Sequence, residues 1–266
     1  MPIVIMLASS FAIIGLVKVG LVPGIDRLSA SLGWSLKARG KATGYATSVP
    51  ELVTLVAAGL SGVWDAGLWN IASSNLINLS FATMALVYYK RVPVVADRDF
   101  VKELTFAGIG IAAPLVLMRF GLDTHGGIIP VLLVLFGAYL LLDKGNGDAP
   151  EGQGALADNS PWIGLGLIVG SLVAISIAGN FLGSATRDVV QLMGISTMAT
   201  GWILGLITSL PEAVTFFAVF SARRVFGSTD RKAQVQELLD NLAASNMSNS
   251  GLIYPIGLGI YLLGTS

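Results

Sequence analysis

Of 266 residues, 54% are apolar and 12% charged, with a mean hydropathy of +0.76. That is the composition of an integral membrane protein rather than of a soluble domain. Sixteen basic residues balance sixteen acidic ones, so charge gives no case for a nucleic-acid partner, and the absence of cysteine excludes disulfides, thiolate metal sites and thiol catalysis.

The first apolar run, about residues 2–28, has no basic segment before it and reads as a membrane span rather than a cleaved signal. A basic connection with Arg27, Lys37, Arg39 and Lys41 leads to a second span, about 42–60. Inside it stands Thr47-Ser48-Val49-Pro50-Glu51. Proline in a helix interior lacks an N–H and crowds the carbonyl four residues back, here that of Ala46. In hydrocarbon such a carbonyl must find a partner or line a polar cavity. Thr47 and Ser48 are i−4 and i−3 to Glu51, which puts hydroxyls and carboxylate on one helical face. Carbonyl, hydroxyls and carboxylate make an all-oxygen site suited to sodium, calcium, magnesium or a proton.

A short turn, 61–65, leads to a third span, about 66–89. A basic hinge over 90–102 precedes apolar spans four and five, about 100–120 and 127–142. Between them His125, the sole histidine, sits in a polar turn and reads as a solvated loop residue. The segment 143–161 is the one real linker, rich in Gly, Asp, Asn and Ala. Its acids Asp143, Asp148, Glu151 and Asp158 lack the spacing of a calcium loop and read as a solvated connection between halves. Spans six and seven follow, about 162–191 and 197–222, and the seventh carries Thr208-Ser209-Leu210-Pro211-Glu212. The same reasoning frees the Ile207 carbonyl beside Thr208, Ser209 and Glu212. After a polar stretch, 223–232, an eighth span covers about 235–263.

The two pentapeptides are 161 residues apart, and the same offset pairs Gly33 with Gly194 and Gly44 with Gly205. A second motif repeats at an offset of 171: Asn70-x-x-x-Ser74-Asn75 and Asn241-x-x-x-Ser245-Asn246. Thirteen Lys and Arg lie on one side of the spans and three on the other, so the basic side, with the linker, is expected in the cytoplasm and both termini outside. The two Pro-Glu copies then enter the membrane in opposite directions. The expected fold is therefore an all-α integral membrane protein of about eight transmembrane helices. Helices two and seven are proline-interrupted, and the first repeat (1–142) is related to the second (162–266) by inverted topology, an architecture common to secondary transporters.

These residues resemble the cation/calcium exchanger superfamily, whose inverted alpha repeats read roughly G-T-S-x-P-E followed by G-N/D-x-x-G-S-N. Both copies here keep T-S-x-P-E and N-x-x-x-S-N, with Ala46 where the first glycine is usual. The resemblance covers spans one to three and six to eight. It implies an ion site of Glu51, Thr47, Ser48 and the Ala46 carbonyl, opposed by Glu212, Thr208, Ser209 and the Ile207 carbonyl, with Asn70 and Asn241 completing it. It also implies that spans one and six slide to alternate access. Many exchangers have an aspartate in the place of Asn241, and the family commonly has two more helices after its second repeat. A homodimer, a partner subunit or a shorter branch of the family answers to that difference.

The expected function is secondary antiport of a divalent cation, calcium first, against sodium or protons, with no covalent cofactor. The bilayer and inorganic cations are the expected partners. A cation channel and a non-transporting membrane cation sensor or assembly subunit are the competing readings. With one surface histidine and no nucleophile–base pair, no catalytic set is visible, and an enzyme is not expected.

Overall fold

The computed structural model describes residues 1–96, 98–143, 161–220 and 230–265, and among these it is helical with no strand. The remaining linker acids, Asp148, Glu151 and Asp158, lie outside the described residues. The first column is one long helix, α1 (Pro2–Leu32), with a π-helical turn at Val17–Leu21. Gly33 ends it at φ 64°, in the left-handed region that costs glycine little. Ser35 then caps α2 (Leu36–Thr47) by accepting from the Ala38 N–H at 3.2 Å. After the Ser48 break, α3 (Val49–Leu60) completes the second column, and α4 (Trp64–Tyr88) returns against it. Past a short helical turn, α5 (Val101–Arg119) and α6 (Ile128–Leu142) close the first half.

The second half repeats the opening. Helix α7 (Pro161–Gln191) has the 31-residue length of α1. Gly194 turns the chain at φ 68°, and Ser196 caps α8 (Thr197–Thr208) through the Ala199 N–H at 3.2 Å. Helix α9 (Leu210–Val219) follows the Ser209 break. The last column runs through α10 (Arg231–Ser248), a π turn at Asn249–Ile253 and α11 (Tyr254–Thr265).

Five of the eight columns among the described residues are long and apolar enough to cross a membrane by themselves: Pro2–Leu32, Trp64–Tyr88, Val101–Arg119, Pro161–Gln191 and Thr197–Val219. Ile128–Leu142 is apolar but shorter. The α2–α3 and α10–α11 columns are less apolar because they carry charged and amide residues, and most of their side chains are buried against neighbouring helices. In lipid, helices associate through close packing and polar contacts rather than through hydrophobic burial. Glycines supply that packing here. A Cβ at Gly44 would stand 2.6 Å from the Asn241 carbonyl, and one at Gly205 would stand 3.0 Å from the Ser74 nitrogen.

The register of these contacts gives the topology. Gly40, Gly44 and Ser48 meet Glu237, Asn241 and Ser245 in ascending order, so α2 runs parallel to α10. Gly201 and Gly205 meet Ala66 and Ser73 in the same sense, so α8 runs parallel to α4. Because α3 and α4 form an antiparallel pair, with Gly67 against Ala58 and Gly59 against Trp64, the two proline-broken columns run in opposite directions. Helices α1 and α7 also lie antiparallel, with Gly24 against Gly164 and Gly20 against Ser171. Their apolar faces, Met6, Ile13, Val17 and Leu21 against Ile175, Leu182 and Val189, are fully buried together.

Candidate functional site

Each broken column interrupts at a serine with nearly identical dihedrals, φ −84° ψ 0° at Ser48 and φ −81° ψ 0° at Ser209. Pro50 and Pro211 then open the next helix, where a missing N–H is tolerated. The Ala46 and Ile207 carbonyls lose their usual i+4 donor to proline, and the ladder resumes two residues later, Leu52 N–H to Ser48 O at 3.3 Å and Ala213 N–H to Ser209 O at 3.1 Å. Glu51 and Glu212 stand in the first turn of α3 and α9, where the positive end of the helix dipole favours a negative charge.

Both glutamates are 0% exposed. They face one another within electrostatic range, and among the described residues no lysine or arginine pairs with either. Glu212 accepts from Ser245 Oγ at 3.3 Å, while neither oxygen of Glu51 and only one of Glu212 has a bonded partner there. Burial of an uncompensated carboxylate costs several kcal/mol per ion by order of magnitude. Two such groups facing each other are a candidate site for a cation or for protons, either of which would balance them.

Thr47 Oγ1 donates to the Thr43 carbonyl of its own helix at 3.0 Å, and across the repeat axis the threonines cross over. Thr47 faces Glu212, and Thr208 faces Glu51. The break at Ser48 and the inverted packing cause this, since the end of each α2-type helix points at the start of the opposite repeat's second half-helix. Thr208 Oγ1 also donates to Asn70 Oδ1 at 3.1 Å, which joins Asn70 to the site. Ser48 Oγ meets Ser245 Oγ at 2.8 Å, and Ser209 Oγ reaches the Ser74 carbonyl at 3.5 Å. Asn241 stands at the edge, its Nδ2 donating to Thr215 Oγ1 at 3.0 Å, and Thr215 in turn bonds the Glu212 carbonyl at 2.9 Å. All ten expected positions thus lie on the four half-helices and the two neighbouring helices that enclose the glutamates.

Two further residues belong here that the motif reading passed over. Asn78 Nδ2 donates to Ser245 Oγ at 3.1 Å, and Asn249 Nδ2 donates to Ser74 Oγ at 3.4 Å. Each is 0% exposed and leaves a buried Oδ1 without a partner among the described residues. They obey the offset of 171, so extending the second repeat by three residues finds them. Asn75 and Asn246, inside the motif, reach α5 with their amides, Asn75 Nδ2 donating to Gly110 O at 2.8 Å and Asn246 Nδ2 to Ala107 O at 3.4 Å, while their Oδ1 atoms accept from Asn249 at 2.8 Å and Asn78 at 3.4 Å. Those two amides fasten helices together. His125, in the turn before α6, is exposed.

The sequence matches the sodium/calcium exchanger protein family over residues 2–143 and 163–264. Among solved structures, an H+/Ca2+ exchanger CAX aligns with a TM-score of 0.66 at 15% identity, covering 99% of this chain and 68% of that one. The sodium–calcium exchanger NCX_Mj, soaked with Na+ and Sr2+, aligns with a TM-score of 0.57 at 20% identity, covering 98% of this chain and 83% of that one. At these identities the likeness is one of fold.

Proposed function

The chain belongs to the sodium/calcium exchanger protein family, and we propose that it is a secondary antiporter moving a divalent cation, calcium, against sodium or protons. The observation that carries this reading is the pair of fully buried glutamates that face one another, each at the start of a proline-broken half-helix. In this reading the ligands completing the pair are the hydroxyls of Thr47, Ser48, Thr208 and Ser209, the amide oxygens of Asn70 and Asn241, and the Ala46 and Ile207 carbonyls, all oxygens suited to a hard cation. In this mechanism the ion, as substrate, balances the two carboxylates at the midplane. The antiparallel pair α1 and α7 shifts against the other columns and opens the site to one side at a time. The charge bias of the connections supports a cytoplasmic orientation of the basic ends.

A site built twice by one chain, inverted, favours alternating access over a pore, because each repeat offers its half-site to a different side of the membrane. The test is uptake of labelled calcium into proteoliposomes with sodium, potassium or proton gradients imposed in turn. Uptake is expected to require one of these counter-gradients and to vanish in Glu51→Gln and in Glu212→Gln while both variants remain folded. A folded glutamine variant that transports at the wild-type rate overturns the assignment.

A further inference from the structure

The inverted repeat gives each residue of one half-site an equivalent in the other, and at one pair of positions the two halves bond differently. Thr215 follows Glu212 by three residues on α9, as Thr54 follows Glu51 on α3. In the second half Asn241 Nδ2 donates to Thr215 Oγ1 at 3.0 Å. In the first half Asn70, the equivalent of Asn241, instead accepts from Thr208 of the opposite repeat at 3.1 Å. Asn70 Nδ2 and Thr54 Oγ1 are then both without a bonded partner among the described residues, although these side chains are 0% and 1% exposed. Gly67 of α4 packs against Leu55 and Ala58 of α3, which sets Asn70 one turn further along α4 and Thr54 next to that contact. Thr47, the equivalent of Thr208, completes the contrast, since its hydroxyl donates to the Thr43 carbonyl of its own helix at 3.0 Å rather than to Asn241.

The helices differ in the same sense. In the half where the Asn–Thr bond is open, α7 seals α3: Gly179 lies against Val53, Gly183 against Ala57, and Val190 packs on Ala58, Val63 and Ala66. In the half where the bond is made, Val214, the equivalent of Val53, is 42% exposed. In an inverted repeat, exchanging the conformations of the two halves turns a structure open to one side into one open to the other. For these bonds the exchange moves Asn70 from Thr208 to Thr54, and Asn241 from Thr215 to Thr47. Each state then holds one bond of each kind. A buried polar group left unmet is costly, and equal counts keep the two states close in free energy, as reversible transport requires.

We propose that Thr54 and Thr215 are positioning residues of the transport cycle, which take the amides of Asn70 and Asn241 in alternation as the site opens to one side and then the other. The switch deepens the alternating-access reading above and rests on its two-state character. Neither threonine belongs to the T-S-x-P-E motif, and neither ligates the ion.

The test reads the two populations directly and needs no transport. The chain has no cysteine, so spin labels are carried by Leu60→Cys at the end of α3 and Leu192→Cys just past α7, positions that are 64% and 75% exposed. Double electron–electron resonance in detergent, without added divalent cation, gives the ratio of separated to close label pairs on the sealed side. Thr215→Val removes a bond of the observed state and should raise that ratio about fivefold. Thr54→Val removes a bond of the exchanged state and should lower it by a similar factor, so the Thr54→Val/Thr215→Val double variant should return to the wild-type ratio. Thr215→Ser keeps the hydroxyl and should match the wild type. Size-exclusion profiles and unfolding scans report folding for each. An unchanged ratio in folded Thr215→Val, or a double variant no different from Thr215→Val alone, overturns the switch. Opposite shifts in a protein that fails the calcium uptake assay would uphold the two-state exchange and remove the antiport reading.

Discussion

Glu212 takes a hydrogen bond from Ser245, and Ser245 also holds Ser48 and Asn78; its repeat mate Ser74 donates instead to the Ile71 carbonyl and leaves Glu51 alone. The two half-sites are therefore chemically unequal although the repeat gives both the same residues. Ser245→Ala removes one hydroxyl from three buried polar partners, and leaving such groups unsatisfied costs about 1–3 kcal/mol. A lower unfolding temperature in detergent and weaker calcium binding are expected for Ser245→Ala, and smaller changes for Ser74→Ala. Equal effects of the two substitutions would show that the Ser245 contacts carry no special weight.

At the scale of the helices, proline and glycine act in different ways. Pro50→Ala restores an N–H that can reach back to the Ala46 carbonyl and continue the helix through Ser48. Calcium affinity is expected to fall while thermal stability is kept or raised, a split that equilibrium binding and an unfolding scan resolve. Gly44 and Gly205 act through space. A methyl at Gly44 meets the Asn241 carbonyl at 2.6 Å, and backbone has little freedom to yield. Overpacking of this kind costs about 1–3 kcal/mol, and in Gly44→Ala it also separates the helix bearing Thr47 from the helix bearing Ser245. Loss of transport is expected there. Gly108→Ala is the control, since nothing stands within 4 Å of its Cβ, and an alanine in an exposed helix gains about 0.5–1 kcal/mol over glycine. Transport unaffected in Gly44→Ala would remove close approach of α2 and α10 from the account.

For the molecule as a whole, the decisive quantity is the charge of the core. Glu51 and Glu212 contribute two negative charges, while Asn70, Asn241, Asn78 and Asn249 contribute none. One divalent ion matches them, as do two sodium ions or two protons. An unmatched charge carried through the membrane field would couple transport to voltage by about 2.3 kcal/mol per 100 mV. Exchange is therefore expected to be electroneutral, two monovalent ions for one divalent, at rates insensitive to a potassium–valinomycin potential. Asn241→Asp adds a third charge and should make transport electrogenic. Current from the wild type on a solid-supported membrane would refute the two-charge count.

The sequence alone determined the membrane class, the inverted duplication and the two Pro-Glu centres, because these rest on local costs. A carboxylate or a proline inside an apolar run is expensive wherever the run folds, and writing the pair twice at one offset leaves little other reading. Gly33 and Gly194 read in the sequence only as markers of the repeat offset, and the structure shows that they end helices, each followed by a serine cap. Partners across the repeat axis were decided only in three dimensions. Thr47 lies near Glu212, across the repeat axis, because the helix breaks at Ser48 and the opposite repeat approaches from the other direction. Asn78 and Asn249 bond Ser245 and Ser74 across the repeats, while Asn75 and Asn246 direct their amides to carbonyls of α5, a division that helical rotation and the π turn beginning at Asn249 set. Asp143, which reads as the first residue of a solvated linker, is buried. The residues that hold it, Lys41 and Lys102, and the carboxylates beside it, Glu103 and Asp240, come from three other helices, and no spacing along the chain records their meeting.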